Sequence, residues 1–171
     1  AELSEKVKLI VQDCVIETDL EILIPETFVN NTSERLQLYA GLDAINNEEG
    51  LEKFSASLID RFGPLPDSVQ QLIHSVRLRW LGEKLGFEKI SLKSEKMKAT
   101  FTSDKPDYFK TDVFGEILSF VQAHSKLCRM KEMGSRLVLT IENMTSVQMA
   151  ISILDEMSHH KFKSASETFS T

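Results

Sequence analysis

The stretch Leu58-Ile59-Asp60-Arg61-Phe62-Gly63-Pro64-Leu65-Pro66-Asp67 decides how this chain is read. It ends one helix, breaks, and starts another. Leu58 and Phe62 lie one turn apart and continue an apolar stripe from Leu51 and Phe54, with Ile59 on its flank. Gly63 suits a left-handed cap, and Pro64 prevents the helix from continuing. Pro66 is tolerated in a first turn, where Asp67 meets the positive end of the helix dipole. At about 100° per residue, Ser57, Asp60 and Arg61 fall together on the side away from Leu58. They are expected to be exposed at a rigid helix end.

Working outward, the helix before the break runs from about Asn47 to Phe62, and the dipole accounts for Glu48 and Glu49 at its start. An earlier helix is capped by Asn31, Thr32 or Ser33 and buries Leu38, Leu42 and Ile45, with Tyr39 beside them. The helix after the break buries Val69, Leu72, Ile73, Val76 and Trp80 and stops at Gly86. Val15 to Ile24 alternates apolar and acidic residues and predicts a strand ended by Pro25. Glu2 to Val11 is read as a short helix.

After Gly86 the period becomes two. Lys89–Leu92 and Met97–Thr102 predict a hairpin turning at Lys93 to Lys96. A helix from about Thr111 to His124 follows. Leu127–Lys131 and Leu137–Glu142 form a second strand pair around Gly134-Ser135, and a helix from Ser146 to His159 closes the pattern. Strands and helices are grouped, which predicts an α+β fold: an N-terminal strand and helical segment, then antiparallel strand pairs packed with helices. The 171 residues suit a single domain over 1–160 with a frayed tail over 161–171.

Composition narrows the function. With 42% hydrophobic residues the chain can bury a core, which excludes a disordered protein. A net charge of -6 argues against a general DNA-coating protein. Charge is uneven, however: residues 89–136 hold ten Lys/Arg and six Asp/Glu. Lys93, Lys96 and Lys98 crowd a hairpin tip, with Lys131 further along and Phe101, Tyr108 and Phe109 nearby. Exposed, those aromatics would make a stacking platform for nucleic acid; the plainer reading is that the lysines guard sheet edges. Glu17, Asp19 and Glu21 share one strand face, as a solvated surface or an acidic edge for a basic partner.

Phosphate-cradling motifs, GxSxG and metal-ligand spacings are lacking. His74 and His124 are isolated, and His159-His160 are adjacent rather than one turn apart. Cys14 and Cys128 read as reduced core thiols. No apolar run approaches the length of a membrane span, and a cytoplasmic protein without a membrane role is expected. The start at Ala1 without a signal peptide is expected of a piece of a longer protein, or of a trimmed chain.

The run Leu58 to Asp67 resembles the C-terminal domain of bacterial transcription-repair coupling factor (the Mfd family). Arg35-Leu36 with Tyr39 is similar to that family's first helix, and Arg77-Leu78-Arg79 with Lys84-Leu85-Gly86 to its third. Ile24-Pro25 fits its entry segment. The resemblance is strong over about Asp19 to Gly86; beyond that it rests on element order.

It implies a noncatalytic regulatory domain of a larger translocase. That parent would use ATP and Mg, move on DNA, displace stalled RNA polymerase and recruit the excision-repair protein UvrA. The domain would pack on the parent's own N-terminal UvrB-like domain and mask the surface that UvrA binds. By the same resemblance Asp60 and Arg61 match a charged pair at that interface. Ser57 stands where relatives can carry glutamate, which removes one charge. The alternative is a module contacting nucleic acid or RNA polymerase through the basic 89–136 region.

Overall fold

A computed structural model describes Val11 and residues 13–159. The helix expected over Glu2–Val11, Val11 apart, and the tail over 161–171 lie outside the described residues. The chain divides into two compact units, residues 20–77 and residues 1–19 with 78–171.

The first unit holds α1 (Thr32–Asp43), α2 (Glu48–Phe62) and the start of α3 (Asp67–Leu85). Local chemistry sets the helix starts. The Asn31 side chain accepts from the Glu34 N–H and that of Asn47 from the Gly50 N–H, so each cap satisfies an otherwise orphaned donor. The α2 stripe buries Leu51 and Leu58. Gly63 ends α2 at φ 97° and ψ -167°, outside the left-handed helical cap expected but still a backbone region that favours glycine. In α3 of this unit, Val69, Ile73 and Val76 are buried, while Leu72 is only half-buried.

The second unit is built on one five-stranded sheet. Its strands are β1 (Val15–Thr18), β2 (Phe87–Lys93), β3 (Lys96–Phe101), β4 (Cys128–Met133) and β5 (Arg136–Glu142), in the order β1-β2-β3-β5-β4. β1 runs parallel to β2; every other neighbour pair is antiparallel. The two predicted hairpins thus join through β3 and β5 into one mixed sheet, an α+β arrangement. The β2–β3 turn is tighter than read: Ser94 and Glu95 alone make it, at φ 53° and 60°.

The strand expected to reach Ile24 stops at Thr18. Its pairing partner β2 ends at Lys93, one residue beyond the Leu92 that faces Thr18, so this ladder runs no further. The Asp19 carboxylate accepts from the Ser94 N–H at 3.0 Å and fastens the strand end to that turn. Pro25 instead begins a turn, its carbonyl accepting from the Phe28 and Val29 N–H groups. Glu17, Asp19 and Glu21 therefore do not share a strand face.

One sheet face carries Ile90, Leu92, Met97, Ala99, Leu139 and Ile141, all buried. α4 (Asp112–Ala123) and α5 (Val147–Ser158) bring Ile117, Phe120, Val147, Ala150 and Leu154 to the core of this unit. Two glycines permit close approach. A Cβ on Gly82 would stand 2.6 Å from Cys14 Sγ. One on Gly86, at φ 92°, would stand 2.2 Å from the Tyr108 ring, whose hydroxyl donates to the Leu85 carbonyl at 2.5 Å.

Candidate functional site

Ser57, Asp60 and Arg61 are exposed together at the C-terminal end of α2, as the helical spacing requires. Leu58, 1% exposed, anchors the buried stripe of the same helix. Phe62 is half-buried against Phe28, with ring centroids 5.6 Å apart. Ile59 flanks the charged residues and is 49% exposed. The Gly63 N–H donates to the Ile59 carbonyl at 2.9 Å and closes the last turn.

The two charged residues differ in their surroundings. Arg61 is engaged within its own unit: it pairs with Glu34 in the first turn of α1, and its guanidinium lies 4.7 Å from the centre of the Phe62 ring. Asp60 has no hydrogen-bond or ion-pair partner among the described residues. Arg61 is thus a brace that joins two helices, and Asp60 is the available charge. Sequence reasoning missed the brace because its partner lies 27 positions away.

A second cluster was missed for the same reason. Glu48 accepts from Arg77 Nε at 3.1 Å and Nη2 at 2.5 Å, and Arg77 Nη1 lies 3.0 Å from His74 Nδ1. Contact with Arg77 holds the Glu48 carboxyl below its ordinary range. Burial, then the neighbouring guanidinium, pushes the His74 imidazole down. Glu48 therefore does more than meet a helix dipole. Arg35, one of the residues carrying the family resemblance, is structural: it donates to the Val29 carbonyl at 2.7 Å and the Asn30 carbonyl at 3.0 Å.

The strand lysines of the second unit, Lys89, Lys93, Lys96, Lys98 and Lys131, lie on the sheet face opposite its core. Glu17 sits between Lys89 at 3.2 Å and Lys93 at 3.5 Å, and Glu142 between Lys96 at 3.8 Å and Arg129 at 2.5 Å. Those lysines hold the Glu17 carboxyl below its ordinary range. Arg136 pairs with Glu88. Lys98 and Lys131 have no such partner among the described residues.

The aromatics do not join the lysines. Phe101 and Tyr108 are buried, and Phe109 packs edge-on against Tyr108 and Phe114, with centroids 5.3 and 5.0 Å apart. Two of the three aromatics are therefore closed to stacking: the alternation that points Lys96 and Lys98 outward points Phe101 inward, and Tyr108 is buried, while Phe109, 42% exposed, lines a cavity with Glu132, Arg136 and Leu137 and not with those lysines. Cys14 and Cys128 are buried free thiols, pushed up to about 12 and about 11 by burial. Among the described residues no three His, Cys, Asp or Glu gather as a metal site, and no helix is long and apolar enough to cross a membrane.

The model of the TRCF domain matches residues 18–111, more than half of the chain. The chain belongs to the TRCF domain family. This TRCF chain is 29% identical over 116 residues to the transcription-repair-coupling factor of Rickettsia prowazekii, covering 68% of the chain and 10% of that relative. It is 35% identical over 79 residues to the Escherichia coli protein of the same name, covering 46% of the chain and 7% of that protein. It therefore spans about a tenth or less of the length of these relatives. A crystal structure described as the C-terminal domain of transcription-repair coupling factor matches with a TM-score of 0.69 at 17% identity, over 85% of this chain and 91% of that one. That likeness carries the α+β fold of the TRCF domain, and the expected family resemblance stands.

Proposed function

We propose that this TRCF domain is a noncatalytic, autoinhibitory part of a transcription-repair coupling factor. In this reading the end of α2 docks on the N-terminal UvrB-like domain of the same protein and covers the surface that UvrA binds. The parent is an ATP-dependent DNA translocase that displaces stalled RNA polymerase; ATP and Mg serve its motor, and this domain adds regulation.

The observation that carries the reading is Asp60. It is exposed, unpaired among the described residues, flanked by exposed Ile59 and Ser57, and mounted on a helix end braced by Arg61 and Glu34. A carboxylate so held presents a fixed acceptor to an arginine of a partner. The unit around it holds nine Asp/Glu against four Lys/Arg, which favours a basic docking surface. Masking needs modest energy: a closed state favoured by about 2.7 kcal/mol leaves roughly 1% of molecules open. Close interfacial charge pairs can couple by about 1.5–7 kcal/mol, so a single pair has the required scale.

The test is to mix this chain with the separate N-terminal domain, with and without UvrA. Competition between the chain and UvrA, weakened by Asp60→Ala, is the expected outcome. A ternary complex of all three would sink the masking mechanism.

A further inference from the structure

The open face of the sheet has a use that the α2 end does not supply. In the order β1-β2-β3-β5-β4, β3 is the middle strand, so Lys98 stands at the centre of the sheet and not on an edge. The edge-guarding explanation of such lysines therefore does not reach it. Its direct cross-strand neighbours are Ser91 and Thr140, and Thr140 in turn faces Arg129. In the adjacent row Lys89 faces Thr100, Thr100 faces Val138, and Val138 faces Lys131. Long cations thus alternate with short side chains across the strands, which leaves shallow troughs between charges.

The charge on this face is strongly one-sided. Seven Lys/Arg stand with three carboxylates, although the whole chain is net -6. Glu17 and Glu142 are each held between two cations, so the surroundings of both remain positive. Of the seven cations on this face, Lys98 and Lys131 are the two without a partner among the described residues. Placing Lys98 in the open on the middle strand and leaving its charge uncompensated gives no folding advantage that the structure shows; Lys131, on the edge strand β4, extends the same face.

We propose that this face is a docking surface for an acidic, extended polypeptide segment. Charge complementarity selects an anionic partner. Among the described residues no strand position on this face is aromatic, so the strands themselves offer no stacking surface of the kind that binds single-stranded nucleic acid. The face does carry exposed apolar groups, Val15 at 50% and Met133 at 51%, which suit aliphatic side chains better than a phosphodiester. Two strand spacings of about 4.8 Å and a two-residue step of about 6.6 Å place Lys98 and Lys131 roughly 12 Å apart. Carboxylates four residues apart lie on one face of an extended segment, about 13 Å apart, and match that separation. This inference does not depend on the masking role of α2.

The probe is a labelled 12-residue peptide of alternating Glu and Ser, titrated with the whole chain at about 0.15 M salt, where screening beyond roughly 8 Å removes diffuse attraction. Binding should be measurable by anisotropy, and amide shifts should fall on β2, β3, β5 and β4. The double reversal Lys98→Glu with Lys131→Glu should weaken it at least tenfold. If that pair perturbs folding, Lys98→Gln with Lys131→Gln should still weaken it several-fold. Asp60→Ala should leave it unchanged, which separates this surface from the α2 end. Absence of peptide binding, unchanged affinity in the lysine variants, or tighter binding of a 20-nucleotide strand or 20-base-pair duplex would overturn the proposal.

Discussion

Arg61→Ala and Asp60→Ala should separate a brace from a contact. Removing Arg61 breaks its ion pair with Glu34 and lifts a guanidinium off the Phe62 ring. The paired side chains are 47% and 32% exposed, so solvent screens the pair and about 0.2–1 kcal/mol is at stake. The cation–π contact at 4.7 Å adds about 0.5–1 kcal/mol for an exposed site. Both contacts share one guanidinium and do not simply add, so the loss should be about 1 kcal/mol. For a chain of this length that lowers Tm by about 2–4 °C.

Asp60→Ala removes no partner and should change stability by less than about 0.5 kcal/mol. Urea denaturation of the two variants and of Glu34→Ala, with the Glu34→Ala/Arg61→Ala cycle, gives the comparison. In binding to the N-terminal domain the order should reverse, with Asp60→Ala the more damaging. Equal stability of the two single variants would refute the brace. A loss above about 1.5 kcal/mol for Asp60→Ala would show that Asp60 belongs to the fold, and the docking argument would fail with it.

Gly86→Ala should cost several kcal/mol, because φ 92° is strained for alanine and the new Cβ meets the Tyr108 ring. Gly134→Ala, at φ 66° with open space around it, should cost only about 1–2 kcal/mol; equal losses would contradict the packing account. Acidification should destabilise the protein in two stages. His74 has a lowered folded pKa, so its contribution is full above its ordinary value of 6.5 and is lost as pH falls through the lowered one. Glu48, also lowered, keeps its contribution above 4.5 and loses it below. Urea denaturation at pH 7.0, 5.5 and 4.0 measures both, and His74→Gln should flatten the first stage only; an unchanged first stage would refute it.

Local rules were legible because they act within one or two turns. Asn31, Asn47, Thr111 and Ser146 each cap a helix where the side-chain chemistry requires it. The exposure of Ser57, Asp60 and Arg61 followed from helical spacing alone, and alternation located both hairpins.

Other features needed the assembled chain. Whether Val15–Ile24 stays a strand depends on how far β2 extends beside it, not on its own alternation. Whether Lys98 guards an edge or occupies the centre depends on β3 and β5 pairing across about 40 intervening residues. The Arg61–Glu34 and Arg77–Glu48 pairs, and the burial of Tyr108 against Gly86, likewise require segments that no local period connects. The sequence by itself determined the elements, their caps and the helix end that carries Asp60. Tertiary structure alone decided which charges find partners, since pairing depends on distances that only packing sets.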